Sequence, residues 1–119
     1  MPEPGLVIGL FVRFDLRDPQ SAVRFDELTA AAVAAIATAE PGTLVYATAA
    51  VRDEPLARVF YEIYADEAAF QAHEHAPHVV DFHARKNPLL AREPRVEFFT
   101  PGPGTGLPHT TLPREGGPE

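Results

Sequence analysis

Cysteine is absent from the 119-residue chain, which removes disulfides, thiolate nucleophiles and cysteine-based metal sites together. Basic residues are scarce. Ten Lys plus Arg stand against 17 Asp plus Glu, and the net charge of -7 disfavours nucleic acid and anionic membrane surfaces, both of which need basic patches. No apolar run approaches the roughly 18 residues of a membrane helix. Met1 to Gly5 lacks the basic segment that opens a secretory leader, so no targeting signal is expected. No nucleophile elbow or phosphate loop is found either. Gly102, Gly104 and Gly106 have no helix behind them, which leaves a bound nucleotide or flavin unsupported. The expectation is a cytoplasmic protein, free of nucleic acid and membrane, whose partner is a small molecule or another protein chain.

What the chain does contain is alternation. Leu6, Ile8, Leu10, Val12 and Phe14 interleave with Val7, Gly9, Phe11 and Arg13, the pattern of a strand with two largely apolar faces. Asp18-Pro19 fits an N-cap and first helical residue, because Asp accepts an orphan N–H and Pro has none to lose. Phe25, Leu28, Ala32, Ile36 and Ala39 then mark one helical stripe that Pro41-Gly42 ends near Glu40. Thr43 to Arg52 and Arg58 to Tyr64 alternate again, as a hairpin across Asp53-Glu54-Pro55. Asp66 caps a second helix on which Ala69, Phe70 and His73 share a side. Pro77 breaks it before a further turn or two carrying Val79 and Phe82, Asn87-Pro88 closes that segment, and Arg95 to Thr100 forms a last strand.

The order is βαββαβ, an α+β domain over residues 1–100. Residues 101–119, with five Pro and five Gly, cannot form a core and read as an extended tail whose Leu107 and Leu112 could dock on a partner. A split βαβ arrangement puts the helices on one face of a four-stranded antiparallel sheet and leaves the other face bare. Residues drawn from Val7, Phe11, Val45, Val51 and Phe60 or Tyr61 are expected there, an apolar patch larger than a monomer normally exposes. A second copy would cover it, so a homodimer is expected.

Four of the five histidines, His73, His75, His78 and His83, fall within eleven residues. His75 and His78 have a ligand-like spacing and Asp81 is near, but Pro77 intervenes and no zinc motif results, so no metal is assigned. His75 and His83 read better as capping or solvated residues. His73 follows Phe70 by three positions and should face the sheet. It is either a general base or a core histidine satisfied by a backbone carbonyl. Tyr46, Tyr61 and Tyr64, with Glu62 among them, lie on the hairpin strands and suit either an aromatic ligand or plain packing. Tyr61 and Tyr64 cannot share a sheet face.

The stretch YEIYADEAAFQAHEHAPHVVDFHA, from Tyr61 to Ala84, resembles the signature region of the antibiotic biosynthesis monooxygenase family, and EPGTLVYAT, from Glu40, resembles its second strand. The resemblance covers about residues 5–100. It implies a ferredoxin-like dimeric α/β barrel that oxidises a quinol- or anthrone-like aromatic with dioxygen and no cofactor. It further implies His73 as base, with Tyr46, Glu62, Tyr64 and His78 around the substrate. Some relatives use a tryptophan where this chain has Tyr64, and haem-degrading relatives use a first-strand asparagine. Here tryptophan is absent and the one asparagine is Asn87, so haem degradation is disfavoured. The alternative is a ligand-binding or stress-responsive dimeric barrel without turnover, since fold alone does not decide activity.

Overall fold

A computed structural model describes residues 7–106. Strand β1 (Ile8–Asp15) leads into helix α1 (Pro19–Ala39), followed by β2 (Thr43–Val51), β3 (Glu54–Tyr64), α2 (Glu67–His75), α3 (Pro77–Lys86), a 3-10 turn (Asn87–Leu89) and β4 (Arg95–Phe99). The strands run antiparallel in the order β2-β3-β1-β4, the ferredoxin-like arrangement.

The caps form as the residue types require. Asp18 accepts from the Ser21 N–H at 2.7 Å and Asp66 from the Ala69 N–H at 2.8 Å, each relieving an orphan donor of a first helical turn. Ala76-Pro77 separates α2 from α3, and α3 runs for 10 residues, longer than the turn or two expected. The second hairpin strand also begins four residues earlier than its alternation suggests. The turn contracts to Arg52-Asp53, with Asp53 at φ 64°, and Pro55 sits beside a register irregularity where its missing N–H disturbs no regular ladder.

Pairing of Leu10 with Glu62, Val12 with Phe60 and Tyr46 with Glu62 defines the face that the helices cover. Phe14, Phe25, Phe60 and Phe82 fill its centre, with neighbouring ring centroids 4.7 to 6.3 Å apart in tilted and edge arrangements and, for Phe60 with Phe82, a stacked one. Phe60 is therefore core, and of the Phe60 and Tyr61 pair it is Tyr61 that lies on the opposite face. Val7 is buried as well and adds nothing to an exposed patch. The opposite face carries Phe11, Val45, Val59, Tyr61 and Phe99 at its centre. Its end is charged, where Arg13 bonds Asp15 and Glu54 and Arg95 bonds Glu97. No regular element follows β4 in residues 101–106, and Leu107 and Leu112 lie outside the described residues. Among the described residues no helix is long and apolar enough to cross a membrane.

Gly9 shapes the bare face. A β-carbon there would fall 2.2 to 2.6 Å from the Phe99 ring, which instead crosses the glycine and stacks on Tyr61 at 5.4 Å. Gly9→Ala is expected to destabilise the fold by about 1–3 kcal/mol through overpacking. The loss should be smaller in the Gly9→Ala/Phe99→Leu pair than the two single losses summed, as denaturant titration would measure.

Candidate functional site

The site begins where α1 ends. A carboxylate at a helix C-terminus meets the negative end of the macrodipole, so Glu40 needs compensation there. It receives three hydrogen bonds. Thr43 Oγ1 donates to Oε1 at 2.6 Å, His73 Nδ1 lies 2.7 Å from the same oxygen, and His78 Nε2 bonds Oε2. Burial pushes the Glu40 carboxyl up, but these bonds outweigh it and hold the group below the ordinary range.

Local geometry brings the histidines there. On a continuous helix, residues five apart would point about 140° away from each other at 3.6 residues per turn. The break at Ala76-Pro77 lets His73 on α2 and His78 on α3 converge on one carboxylate. Gly42 lets α2 approach β2: its carbonyl accepts from the Ala65 N–H at 2.9 Å, and any β-carbon at Gly42 would lie 2.5 Å from that of Ala69.

His73 is 3% exposed, and its ring packs 5.0 Å from Tyr64 and 5.5 Å from Tyr46. With Nδ1 engaged by Glu40, Nε2 has no protein partner among the described residues. A neutral imidazole donating Nδ1–H to a carboxylate keeps its lone pair on Nε2. The ring forms part of the wall of a cavity of about 200 Å³ between the sheet and the α2–α3 layer.

Of the residues expected around a substrate, Tyr46 and Glu62 line this cavity with His73. Tyr64 packs behind them and donates its hydroxyl to Glu62 Oε1 at 2.5 Å, while Tyr61 is on the other sheet face. His78 is not among the cavity-lining residues. It stands beyond Glu40, near Leu28, Ala32 and Asp81. The alternative for His73, satisfaction by a backbone carbonyl, is replaced by the Glu40 carboxylate. His75 is exposed and bonds the Gln71 carbonyl at 2.8 Å. Among the described residues no three His, Cys, Asp or Glu side chains are grouped to hold a metal ion.

Three functional candidates escape the sequence patterns as read above. Glu40 had a signal in its unfavourable place at a helix end. Lys86 extends the Val79, Phe82 stripe by four positions, and a charge on an apolar stripe is a usable cue. It is 4% exposed, bonds Asn87 Oδ1 at 2.7 Å, and burial lowers its ammonium to about 8. His83, read as capping or solvated, lines the same cavity. Burial, with Lys86 nearby, lowers it to about 4, so its imidazole is neutral.

Glu62, 4% exposed, is raised by burial to about 7, with the Tyr64 bond opposing and the Glu74 and Glu40 charges adding to the shift. Burial likewise raises the hydroxyls of Tyr46 and Tyr64, which remain protonated donors. The folded state thus keeps the Glu62 proton after the unfolded chain, near 4.5, has lost it. Stability relative to Glu62→Gln is expected to fall by about 3 kcal/mol as pH rises from about 4.5 to about 7, and then to level off. His83 acts in the opposite sense between about 4 and 6.5, and subtracting the variant's curve removes it. Denaturant unfolding across this pH range measures the difference, and a flat difference would contradict the raised carboxyl.

A sequence model of the antibiotic biosynthesis monooxygenases matches residues 9–85. No curated protein matches the chain. Among solved structures, a Caulobacter crescentus protein named for the antibiotic biosynthesis monooxygenases superposes with a TM-score of 0.78 at 23% identity, over 83% of this chain and 92% of that one. A Mycobacterium tuberculosis protein gives 0.75 at 24%, over 83% and 98%. SnoaB of Streptomyces nogalater, a cofactor-independent oxygenase, gives 0.72 at 18%, over 84% and 97%. These likenesses concern the fold, while the sequence match covers more than half of the chain, from β1 into α3 with the Glu40–His73 pair included: the chain belongs to the antibiotic biosynthesis monooxygenase family.

Proposed function

We propose that the protein is a cofactor-independent monooxygenase that oxidises a compact quinol-like aromatic with dioxygen. The observation that carries this reading is His73, with Nδ1 held by Glu40, in the wall of a mainly apolar cavity. His73 Nε2 takes a proton from the substrate hydroxyl, and Glu40 stabilises the imidazolium that results. The electron-rich anion then supplies the electrons to dioxygen. One oxygen enters the ring as a hydroxyl, the quinol becomes the quinone, and the second oxygen leaves as water with the two displaced hydrogens. Tyr46 and Glu62 orient the substrate oxygen from the sheet side; Tyr64 acts through Glu62, and His78 through Glu40.

At about 200 Å³ the cavity is smaller than the roughly 300–1,000 Å³ pockets of drug-sized ligands, which favours one or two rings over a three-ring anthrone. Oxygen-electrode assays of the metal-free protein with benzo- and naphthohydroquinones are expected to give uptake above the spontaneous rate. His73→Ala should lower kcat/KM about 10²–10⁴-fold, Glu40→Gln should lower it less, and His75→Ala should leave it unchanged. Uptake equal to the spontaneous rate, or insensitive to His73, would favour the reading as a binding protein without turnover.

The working unit in this reading is a homodimer joined through the bare sheet face, where Phe11 is 38% exposed beside Tyr61 and Phe99. Phe11→Asp is expected to shift sedimentation from dimer to monomer with the far-UV spectrum retained. A wild-type monomer at micromolar concentration would overturn this.

A further inference from the structure

The cavity has two unlike ends. Its floor follows β1 from Leu10 to Phe14, about 13 Å at the usual rise of a strand. Glu62 pairs with Leu10, and the His73 ring lies against Tyr46 and Tyr64 on the same stretch of sheet, so the proton-handling groups gather at the Leu10 end. Lys86 stands at the other. Its Nζ is 5.5 Å from the Phe14 ring centroid and 6.0 Å from that of Phe82.

An ammonium has three donors, and Lys86 spends one on a neutral amide oxygen, that of Asn87. Two ring faces supply weak cation–π attraction. No carboxylate of the described residues comes within ion-pair distance, although the side chain is almost wholly buried. A buried cation without a counter-ion is expensive to maintain by packing alone. Lys86 is one of the residues that line the cavity, and its ammonium has two donors beyond the Asn87 bond.

Building on the function proposed above, we infer that Lys86 is a specificity-determining residue that binds a carboxylate on the substrate. The preferred ligand is then a hydroxylated aromatic acid, with its hydroxyl at the His73 end and its carboxylate at the far end of the ring system. The anion supplies the missing counter-charge and fixes which end of the molecule meets the base. A neutral quinol of the same size lacks that orientation.

The test uses binding, so that it does not depend on turnover. 6-Hydroxy-2-naphthoate and 6-hydroxy-2-naphthamide, equal in shape and different in charge, are titrated calorimetrically into the full-length protein. The acid is expected to bind about tenfold to a hundredfold more tightly, the scale of one charge-assisted hydrogen bond. Lys86→Met should abolish that preference and Lys86→Arg should retain most of it, with unchanged far-UV spectra showing that both variants fold. Equal affinity for acid and amide, a preference that survives Lys86→Met, or no binding of either at millimolar concentration would each overturn the inference. Binding of the acid without oxygen uptake by any quinol would leave the clamp standing and remove the oxygenase reading. Uptake with neutral quinols and no preference for the acid would do the reverse.

Discussion

One carboxylate holds the functional half of the molecule together. Glu40 closes α1, accepts from the first residue of β2 and takes a histidine from each of α2 and α3, so four elements meet at a single pair of oxygens. Removing one member of such a buried network leaves the others unsatisfied, and its worth exceeds that of any pair within it. The same contact fixes the ring of His73. Stability and candidate chemistry therefore draw on one group, and the helix break at Pro77 is the backbone feature that permits it.

The fold was legible because its signals are local. Alternation from Ile8 to Phe14, the Asp18-Pro19 start, the Pro41-Gly42 stop and the Asp66 cap each act within a few residues, and each operates as its chemistry dictates. Strand boundaries were less clear around Pro55, where proline suggested an end and the chain continues as strand beside a register irregularity. Assigning faces failed where parity alone was left undecided. Phe60 and Tyr61 are both aromatic, and only pairing with Val12 puts the first in the core.

The site was legible in part. His73 could be found because its spacing from Phe70 turns it to the sheet, whereas Tyr46 and Glu62 were indicated by the family resemblance and share a face through their cross-strand pairing. Glu40 is separated from His73 by 33 positions, and no periodicity links residues so far apart. His83 and Lys86 were obscured for another reason: polar side chains on a short helix are by default solvated, whereas here Lys86 packs over Phe14 and both residues line the cavity. Pro77 counted against a shared metal site for His75 and His78, and the same break is what brings His73 and His78 to one carboxylate.

Gly9 has a bearing beyond the fit of one ring. Because the Phe99 ring occupies the space above it, the centre of the uncovered sheet face presents the stacked Tyr61 and Phe99 rings beside Phe11. Apolar contact is non-directional. In the proposed dimer the alignment would come from the charged end, where Arg13, Asp15, Glu54 and Arg95 stand, with the apolar centre supplying the contact and the charges its orientation.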